Sequence, residues 1–281
     1  MENKTIQIKK FSGELEPFSI DKLQNSLYKS GASKKVVAKI IQKLQPQLYN
    51  GITTKIIYKK AFDLLKKHNH FCATKYSLKK AILALGPTGF LFEKLVAEIL
   101  KQKGFKTQVS VILPGECVTH EIDVLAEKDN STYAIECKFH SKLKYRSDVK
   151  IPLYINSRFL DIQKKWNNDK SKKTTLKQGW LVTNTKFTED AVSYAKCVGL
   201  SLFSWDYPKG NGIKDLIDRF GLYPVTALIS LKKWEKLELI KKNIVLVTDL
   251  KNNMKLLEVL KIPAKRIKKV KLELKAVCVN Q

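Results

Sequence analysis

The chain has 281 residues and a formal net charge of +27, from 53 Lys and Arg against 26 Asp and Glu. Its 44% of hydrophobic residues can form one large core or several smaller ones, as is typical of a globular protein. The excess of positive charge indicates a polyanionic partner, with nucleic acid as the first candidate. No apolar run reaches the ~18 residues that a membrane helix needs, so we expect no membrane contact.

The cysteines and the N-terminus narrow the class of protein. Five cysteines are widely scattered and no Cys-x-x-Cys pair occurs, which argues against structural zinc and against a disulfide framework. Residues 1–13 are largely polar and charged and lack the apolar core of a signal peptide, so we expect a cytoplasmic protein. His68 and His70 have no further metal ligand near them in sequence, and we interpret them as a polar helix end.

The first 86 residues are predicted to form a short hairpin followed by helices. Polar and apolar residues alternate over 5–10, Ser12-Gly13 favours a turn, and a second strand returns over 15–18. Ser19 is then placed to cap a helix whose apolar residues have helical spacing. Further helices are predicted over 34–48 and 53–68, and a domain boundary over 82–89.

The middle of the chain has the pattern of an α/β domain. A helix over 90–103 precedes three strands, and later a helix lies between two buried strands as a β-α-β unit. The predicted strands are 107–113, 121–127, 132–139, 179–183 and 200–205, and the later helix is 189–198.

Helical patterns replace the strands after residue 220. Three short helices are predicted over 230–242, 249–260 and 263–276, the last with a proline near its first turn. We therefore predict three domains, over 1–86, 87–220 and 221–281.

Two acids are expected to face each other across a hairpin of the middle domain. If the loop is symmetric about Asp129-Asn130, paired positions sum to 259, which places Asp123 opposite Glu136 with Cβ atoms roughly 5 Å apart. Like charges at that distance oppose folding unless they are neutralised, and a divalent cation with oxygen ligands, Mg²⁺ or Mn²⁺, does this well. Lys138 shares the face of Glu136, while the alternate residues from Tyr133 to Phe139 form an apolar face.

These residues resemble a known family of nucleases. Glu136-Cys137-Lys138, preceded by Asp123 and by Glu93 on the helix, is similar to the PD-(D/E)xK superfamily in its Mrr-like restriction endonuclease branch. The resemblance implies a mixed sheet flanked by helices, a metal site at Asp123 and Glu136, and a catalytic Lys138. It also implies a helix-borne acid that helps to hold metal or water. We assign this role to Glu93, although helical spacing leaves Glu98 open as an alternative.

The segment after this motif is basic. It contains twelve Lys and Arg against three Asp over 138–177, with aromatic residues between them. Such a pattern is compatible with phosphate contacts and base stacking, although aromatic side chains more often form a core. We select Arg146, Lys150 and Arg158 as candidates for contacts with a nucleic-acid backbone. The C-terminal domain is also lysine-rich and weakly resembles helix-hairpin-helix DNA modules.

The N-terminal domain resembles a second family. The segments 8–13, 14–23 and 51–54 are similar to the ATP-cone, a small nucleotide-sensing α+β domain of ribonucleotide reductases and of their transcriptional repressor. The resemblance implies that ATP or dATP binds as a regulatory ligand; the alternative is a cone that serves only as a folded adaptor. The residues carried over as nucleotide contacts are Lys9, Lys10, Glu16, Lys22, Thr54 and Tyr58.

The combined pattern predicts an α/β protein with an ATP-cone, a nuclease domain and a small basic helical domain. The expected function is metal-dependent endonucleolytic hydrolysis of DNA, regulated by ATP or dATP. The alternative is a non-catalytic, nucleotide-responsive regulator that binds DNA. Cleavage of both strands would need two active sites and hence a homodimer.

Overall fold

The structure is a computed structural model that describes residues 6–10, 13–86, 89–142 and 145–278. The predicted positions Thr5, Ser12 and Pro87 lie outside these ranges. Across the described ranges, no helix is long and apolar enough to span a membrane.

The N-terminal unit is a three-stranded sheet, with strand order β2-β1-β3, packed against helices. The predicted cap is present, since Ser19 accepts a hydrogen bond from the Lys22 amide; Thr53 also caps its helix and accepts a hydrogen bond from the Ile56 amide. A fourth helix, which we did not predict, starts at His70 directly after Asn69. The elements are β1 Gln7–Lys9, β2 Leu15–Pro17, α1 Ile20–Lys29, α2 Lys34–Leu44, β3 Ile52–Thr53, α3 Thr54–His68 and α4 His70–Leu83.

The central unit is built on a five-stranded mixed sheet with strand order β10-β8-β6-β5-β4. The strands β4, β5 and β6 are antiparallel, whereas β6, β8 and β10 run parallel. Its elements are α5 Phe90–Gln102, β4 Lys106–Pro114, β5 Thr119–Lys128, β6 Ser131–Lys138, β7 Arg146–Ser147, α6 Lys150–Asn168, β8 Thr175–Thr183, β9 Lys186–Phe187, α7 Glu189–Val198, β10 Ser201–Phe203 and α8 Ile213–Phe220.

The two faces of the central sheet are covered by different helices. Ile135, Cys137 and neighbouring apolar side chains pack with α5 and α8, as the predicted apolar face requires. Ala134 and Leu125 pack on the other face against Phe159 of α6. Strand alternation therefore directs Glu136 to the α6 side of β6.

The C-terminal unit is helical, as predicted, but the second predicted helix is divided in two. Asn252 and Asn253 interrupt it, because asparagine favours local hydrogen bonding over a helix interior and Asn253 has φ −126° and ψ 38°. The helices are α9 Lys233–Lys241, α10 Val247–Asn252, α11 Lys255–Val259 and α12 Ala264–Val277.

The β5–β6 hairpin depends on its two-residue turn. Asp129 has φ 50° and Asn130 has φ 55°, and both lie in the left-handed region that this type of turn requires. Asparagine and aspartate tolerate that region better than other non-glycine residues do.

We expect Asn130→Val to lower the free energy of unfolding by about 1–2 kcal/mol, because a β-branched residue is strained at positive φ. Asn130→Gly should change it by less than ~1 kcal/mol, since glycine adopts positive φ freely. Urea unfolding of both variants tests this, and equal destabilisation by valine and glycine would contradict it.

Candidate active site at the β5–β6 hairpin

Asp123 and Glu136 lie near each other at the open end of the hairpin, where the charge of Asp123 acts on Glu136. The pairs Val124–Ile135 and Leu125–Ala134 confirm the predicted register. The paired residues end at Val124–Ile135, and Asp123 and Glu136 directly follow this last pair on their strands. Here the Asp123 carboxylate accepts a hydrogen bond from the Cys137 amide at 2.7 Å, so the side chain is fixed across the two strands.

Arg158 of α6 reaches Glu136 from the side of the sheet. Its Nη1 lies 2.7 Å from Glu136 Oε2, and its Nη2 donates to the carbonyl oxygen of Glu121. The Arg158 side chain is only 15% exposed. This geometry does not favour the predicted contact of Arg158 with nucleic-acid phosphates, because the guanidinium is already held between two partners inside the protein.

The structure distinguishes the two glutamates on α5. The negative charges of Asp123 and Glu121 raise the pKa of Glu93, so Glu93 lies close to this part of β5. Glu98 instead pairs with Lys101 at 2.6 Å on the same helix. The helix geometry thus favours Glu93 over Glu98 as the fourth residue of the site.

The acids of this site are hard to ionise. Burial, followed by the charge of Asp123, raises the pKa of Glu93 to about 7. Burial and the same charge raise the pKa of Glu136 to about 7 even though Arg158 acts in the opposite direction. Burial also raises the pKa of Asp123, against the hydrogen bond from Cys137. Loss of solvation therefore outweighs the positive charge provided by the protein alone.

Lys138 is exposed at the end of β6, where its positive charge favours the ionised forms of Asp123 and Glu136. Its carbonyl oxygen accepts a hydrogen bond from Thr183 at 2.7 Å, which anchors the strand end to β8. The lysine thus combines a fixed backbone with a side chain that is free to reach a bound substrate.

Carboxylate oxygens suit Mg²⁺ or Mn²⁺, and three carboxyl groups with raised pKa values would gain from a nearby cation. Among the described residues, however, no three His, Cys, Asp or Glu side chains are already arranged to hold a metal ion. The ion pair of Glu136 with Arg158 is one contact that a cation would have to share or replace. The three carboxylates are the kind of ligand that a divalent ion prefers, but they are not already arranged around a common position.

The two other predicted nucleic-acid contacts lie just before and at the start of α6. Arg146 in β7 and Lys150 at the first position of α6 are both exposed. Their contact with nucleic acid stays a prediction.

A pocket of the N-terminal unit brings together part of the predicted nucleotide set. Glu16 lies 2.8 Å from Lys10 and 3.7 Å from Lys22. Lys9 is exposed on β1 and does not line the pocket. The lining includes Glu16, Ser19, Lys22, Thr54, Tyr58 and Tyr76.

Sequence reasoning missed two residues of this pocket region. Tyr76 stacks on Tyr58 with ring centroids 4.9 Å apart, and Lys80 Nζ lies 3.7 Å from the centre of the Tyr58 ring. Both belong to α4, which had no clear signal in the sequence.

Comparisons with known proteins agree with this architecture. Family models match at residues 6–83 (ATP cone domain), 87–152 (restriction endonuclease) and 223–278 (AF1548-like, C-terminal). An uncharacterized protein of Archaeoglobus fulgidus is 44% identical over 133 residues, which are 47% of this chain and 71% of that protein. The chain belongs to the AF1548-like family.

A solved structure supports the same family assignment. The crystal structure of the protein of unknown function AF1548 is 36% identical, with a TM-score of 0.55, and the match covers 69% of this chain and all of that one. This AF1548-like chain has its ATP-cone at the N-terminus, its Mrr-type domain in the centre and a helical C-terminus. The predicted bounds 1–86, 87–220 and 221–281 stay predictions.

The raised pKa values predict how stability depends on pH without metal. Glu93 and Glu136 have pKa values of about 7 in the folded protein, against an ordinary value of 4.5 in the unfolded chain. Between these values the folded state binds more protons than the unfolded state. The stability that these groups contribute is therefore full below pH 4.5 and is lost as pH rises through 7.

We expect Glu93→Gln to flatten this fall in melting temperature between about pH 5 and 8 in EDTA, because it removes one of the titrating groups. Glu98→Gln, on the same helix, should leave the fall unchanged. Thermal unfolding across pH measures both, and identical profiles for Glu93→Gln and wild type would refute the assignment.

Proposed function

We propose that this protein is a metal-dependent endonuclease that hydrolyses phosphodiester bonds in DNA, regulated by ATP or dATP in its cone. The observation that carries the proposal is the convergence of Glu93, Asp123 and Glu136 at one end of a hairpin, with Lys138 beside them. The Mrr-type domain and the charge of +27 support a polyanionic substrate.

Each residue has a role that follows from its position. Asp123 and Glu136 would hold Mg²⁺ or Mn²⁺ with help from Glu93. Bound there, the cation would polarise the phosphate and lower the pKa of water. Lys138 would place its positive charge on the phosphate oxygens as negative charge develops on them. Glu93 would orient or accept a proton from the attacking water, for which a pKa of about 7 is well suited.

We expect Asp123→Asn and Lys138→Ala each to reduce cleavage of plasmid DNA at least ~100-fold, since each removes a group that acts on the transition state. Glu93→Gln should also reduce it, whereas Glu98→Gln should retain the wild-type rate. Cleavage is measured with Mg²⁺ and with Mn²⁺. Residual cleavage that is equal in wild type and all variants would indicate a contaminating nuclease.

A second function deserves a test because of one contact. The Glu136–Arg158 pair neutralises the key carboxylate without metal, as a non-catalytic DNA-binding regulator would need. For that function, DNA affinity would persist in EDTA and depend on salt, and no substrate would be turned over. Turnover abolished by Asp123→Asn would exclude it.

The cone would bind the nucleotide in the pocket formed by α1, α3 and α4. Lys22 and Lys10 would pair with phosphate oxygens, and Glu16, which they now neutralise, would be released to the nucleoside. Tyr58 and Thr54 line the same pocket. Lys9, on the exposed side of β1, would reach the phosphates from the rim.

We expect Lys22→Ala to raise the Kd for ATP or dATP at least ~10-fold, because a charge-assisted contact to phosphate is lost. Lys29→Ala, at the exposed end of the same helix, is the control. Isothermal titration calorimetry gives the Kd values, and absence of binding to the wild-type protein at millimolar nucleotide would favour a cone that is only an adaptor.

A further inference from the structure

The C-terminal unit contains two helical hairpins of the same local geometry. In the first, α9–α10, Asn243 has φ 63° and the Ile244 amide donates to the Leu239 carbonyl at 3.0 Å. In the second, α11–α12, Lys261 has φ 53° and the Ile262 amide donates to the Leu257 carbonyl at 3.0 Å. Both isoleucines are buried, so each hairpin is a fixed corner of the fold.

The two hairpins differ in what surrounds them. Asn243 of the first accepts a hydrogen bond from Lys94 of α5 at 2.5 Å, so this hairpin lies against the nuclease domain. Lys261 of the second is exposed, although a long side chain at positive φ is unfavourable. The second hairpin therefore exposes the positively charged Lys261 side chain to solvent, on a backbone that the hairpin holds in the left-handed region.

The charges along α12 are separated between its two sides. Val270, Leu274 and Val277 are buried within the unit, and Glu273, also buried, binds Ser230 and His70. The exposed lysines cover the other side of the helix. With Lys261 they form a surface that we name the α12 basic face, which consists of Lys261, Lys265, Lys268, Lys269, Lys271 and Lys275.

Most acids of the unit are held away from this surface, and Glu258, exposed three residues before Lys261, forms no ion pair among the described residues. Glu235 is buried and pairs with Arg266, and Glu238 pairs with Lys241 on α9. Asp249 accepts hydrogen bonds from two backbone amides at the start of α10. Among the described residues, no lysine of the α12 basic face forms an ion pair, so their charge is available to a partner.

The shape of the surface favours a nucleic-acid backbone over a membrane. From Lys265 to Lys275 the helix rises about 15 Å, which matches roughly four phosphates along one strand of B-DNA. Membrane binding would require an apolar helix side facing outward, but that side of α12 is packed in the core. Leu272 is the exposed large apolar side chain within this helix.

We propose that the α12 basic face binds the phosphate backbone of double-stranded DNA without reading its sequence. The binding itself does not require catalysis. Its further role, which rests on the proposed nuclease function, is to hold the duplex beside the active-site domain.

The test compares two triple charge reversals in the full chain. Lys261→Glu, Lys265→Glu and Lys268→Glu change the α12 basic face. Lys233→Glu, Lys242→Glu and Lys251→Glu form the control, because they change three exposed lysines elsewhere in the unit by the same net charge. Circular dichroism and melting temperature establish that both proteins are folded, and less severe Lys→Gln versions replace either one if it is not.

Binding is measured by fluorescence anisotropy with a duplex oligonucleotide in EDTA at several salt concentrations. We expect the face variant to lose at least ~10-fold in affinity and the slope of log K against log salt to become shallower by up to ~3, about 0.9 for each lost contact. The control should keep the wild-type slope. Equal losses in the two variants, or none in either, would overturn the proposal.

Two further measurements separate this proposal from others. Loss of binding to phosphatidylserine vesicles, with DNA affinity intact, would assign the face to membranes and overturn it. The second measurement is cleavage of the same duplex by wild type with Mg²⁺. If wild type binds DNA but never cleaves it, the result supports the proposed role of the α12 basic face and contradicts the proposed nuclease function.

Discussion

The constraint that organises the central domain is the placement of three acids at one end of the β5–β6 hairpin. The turn at Asp129-Asn130 fixes the register, the register brings Asp123 and Glu136 to the same end of the hairpin, and α5 adds Glu93. Such crowding is costly because burial and mutual repulsion oppose ionisation. The raised pKa values of all three groups express that cost, and a cation bound among them would remove much of it.

Arg158 offsets part of this repulsion in the absence of metal. Its guanidinium stays protonated at any physiological pH, so it favours the ionised form of Glu136, although burial still raises the pKa of that carboxyl to about 7. One turn further along α6, Asp161 accepts hydrogen bonds from the Cys117 amide at 2.9 Å and pairs with His120 at 2.7 Å. These contacts hold α6 against the start of β5. The helix α6, which covers one face of the central sheet, thereby also positions Arg158.

The sequence predicted what local patterns determine. Register follows from a two-residue turn and strand alternation, so the sequence alone predicts the pairing of Val124 with Ile135 and places Asp123 and Glu136 just beyond it. The partner of Glu136 could not be predicted in this way, because Arg158 is 22 residues away and reaches it only through the packing of α6. For the same reason Glu93 and Glu98 were equivalent by helical spacing and became distinct only when α5 was placed on the sheet.

The helix α4, which the sequence did not reveal, contacts helices of both the central and the C-terminal units. On one side Tyr76 and Lys80 adjoin the pocket of the cone. On the other, Lys75 lies 3.2 Å from Asp218 of α8, and His70 lies 3.1 Å from Glu273 of α12.

A nucleotide bound in the cone could influence the nuclease domain through the contacts of α4. A ligand changes a distant site only through a difference in its affinity for two arrangements of the protein. A nucleotide that contacts Tyr58 would act on α4 through the Tyr58–Tyr76 stack, and a shift of α4 would strain its ion pairs with α8 and α12. Because α8 packs in the same core as α5, the helix that carries Glu93, this chain of contacts leads from the cone to the acids of the site.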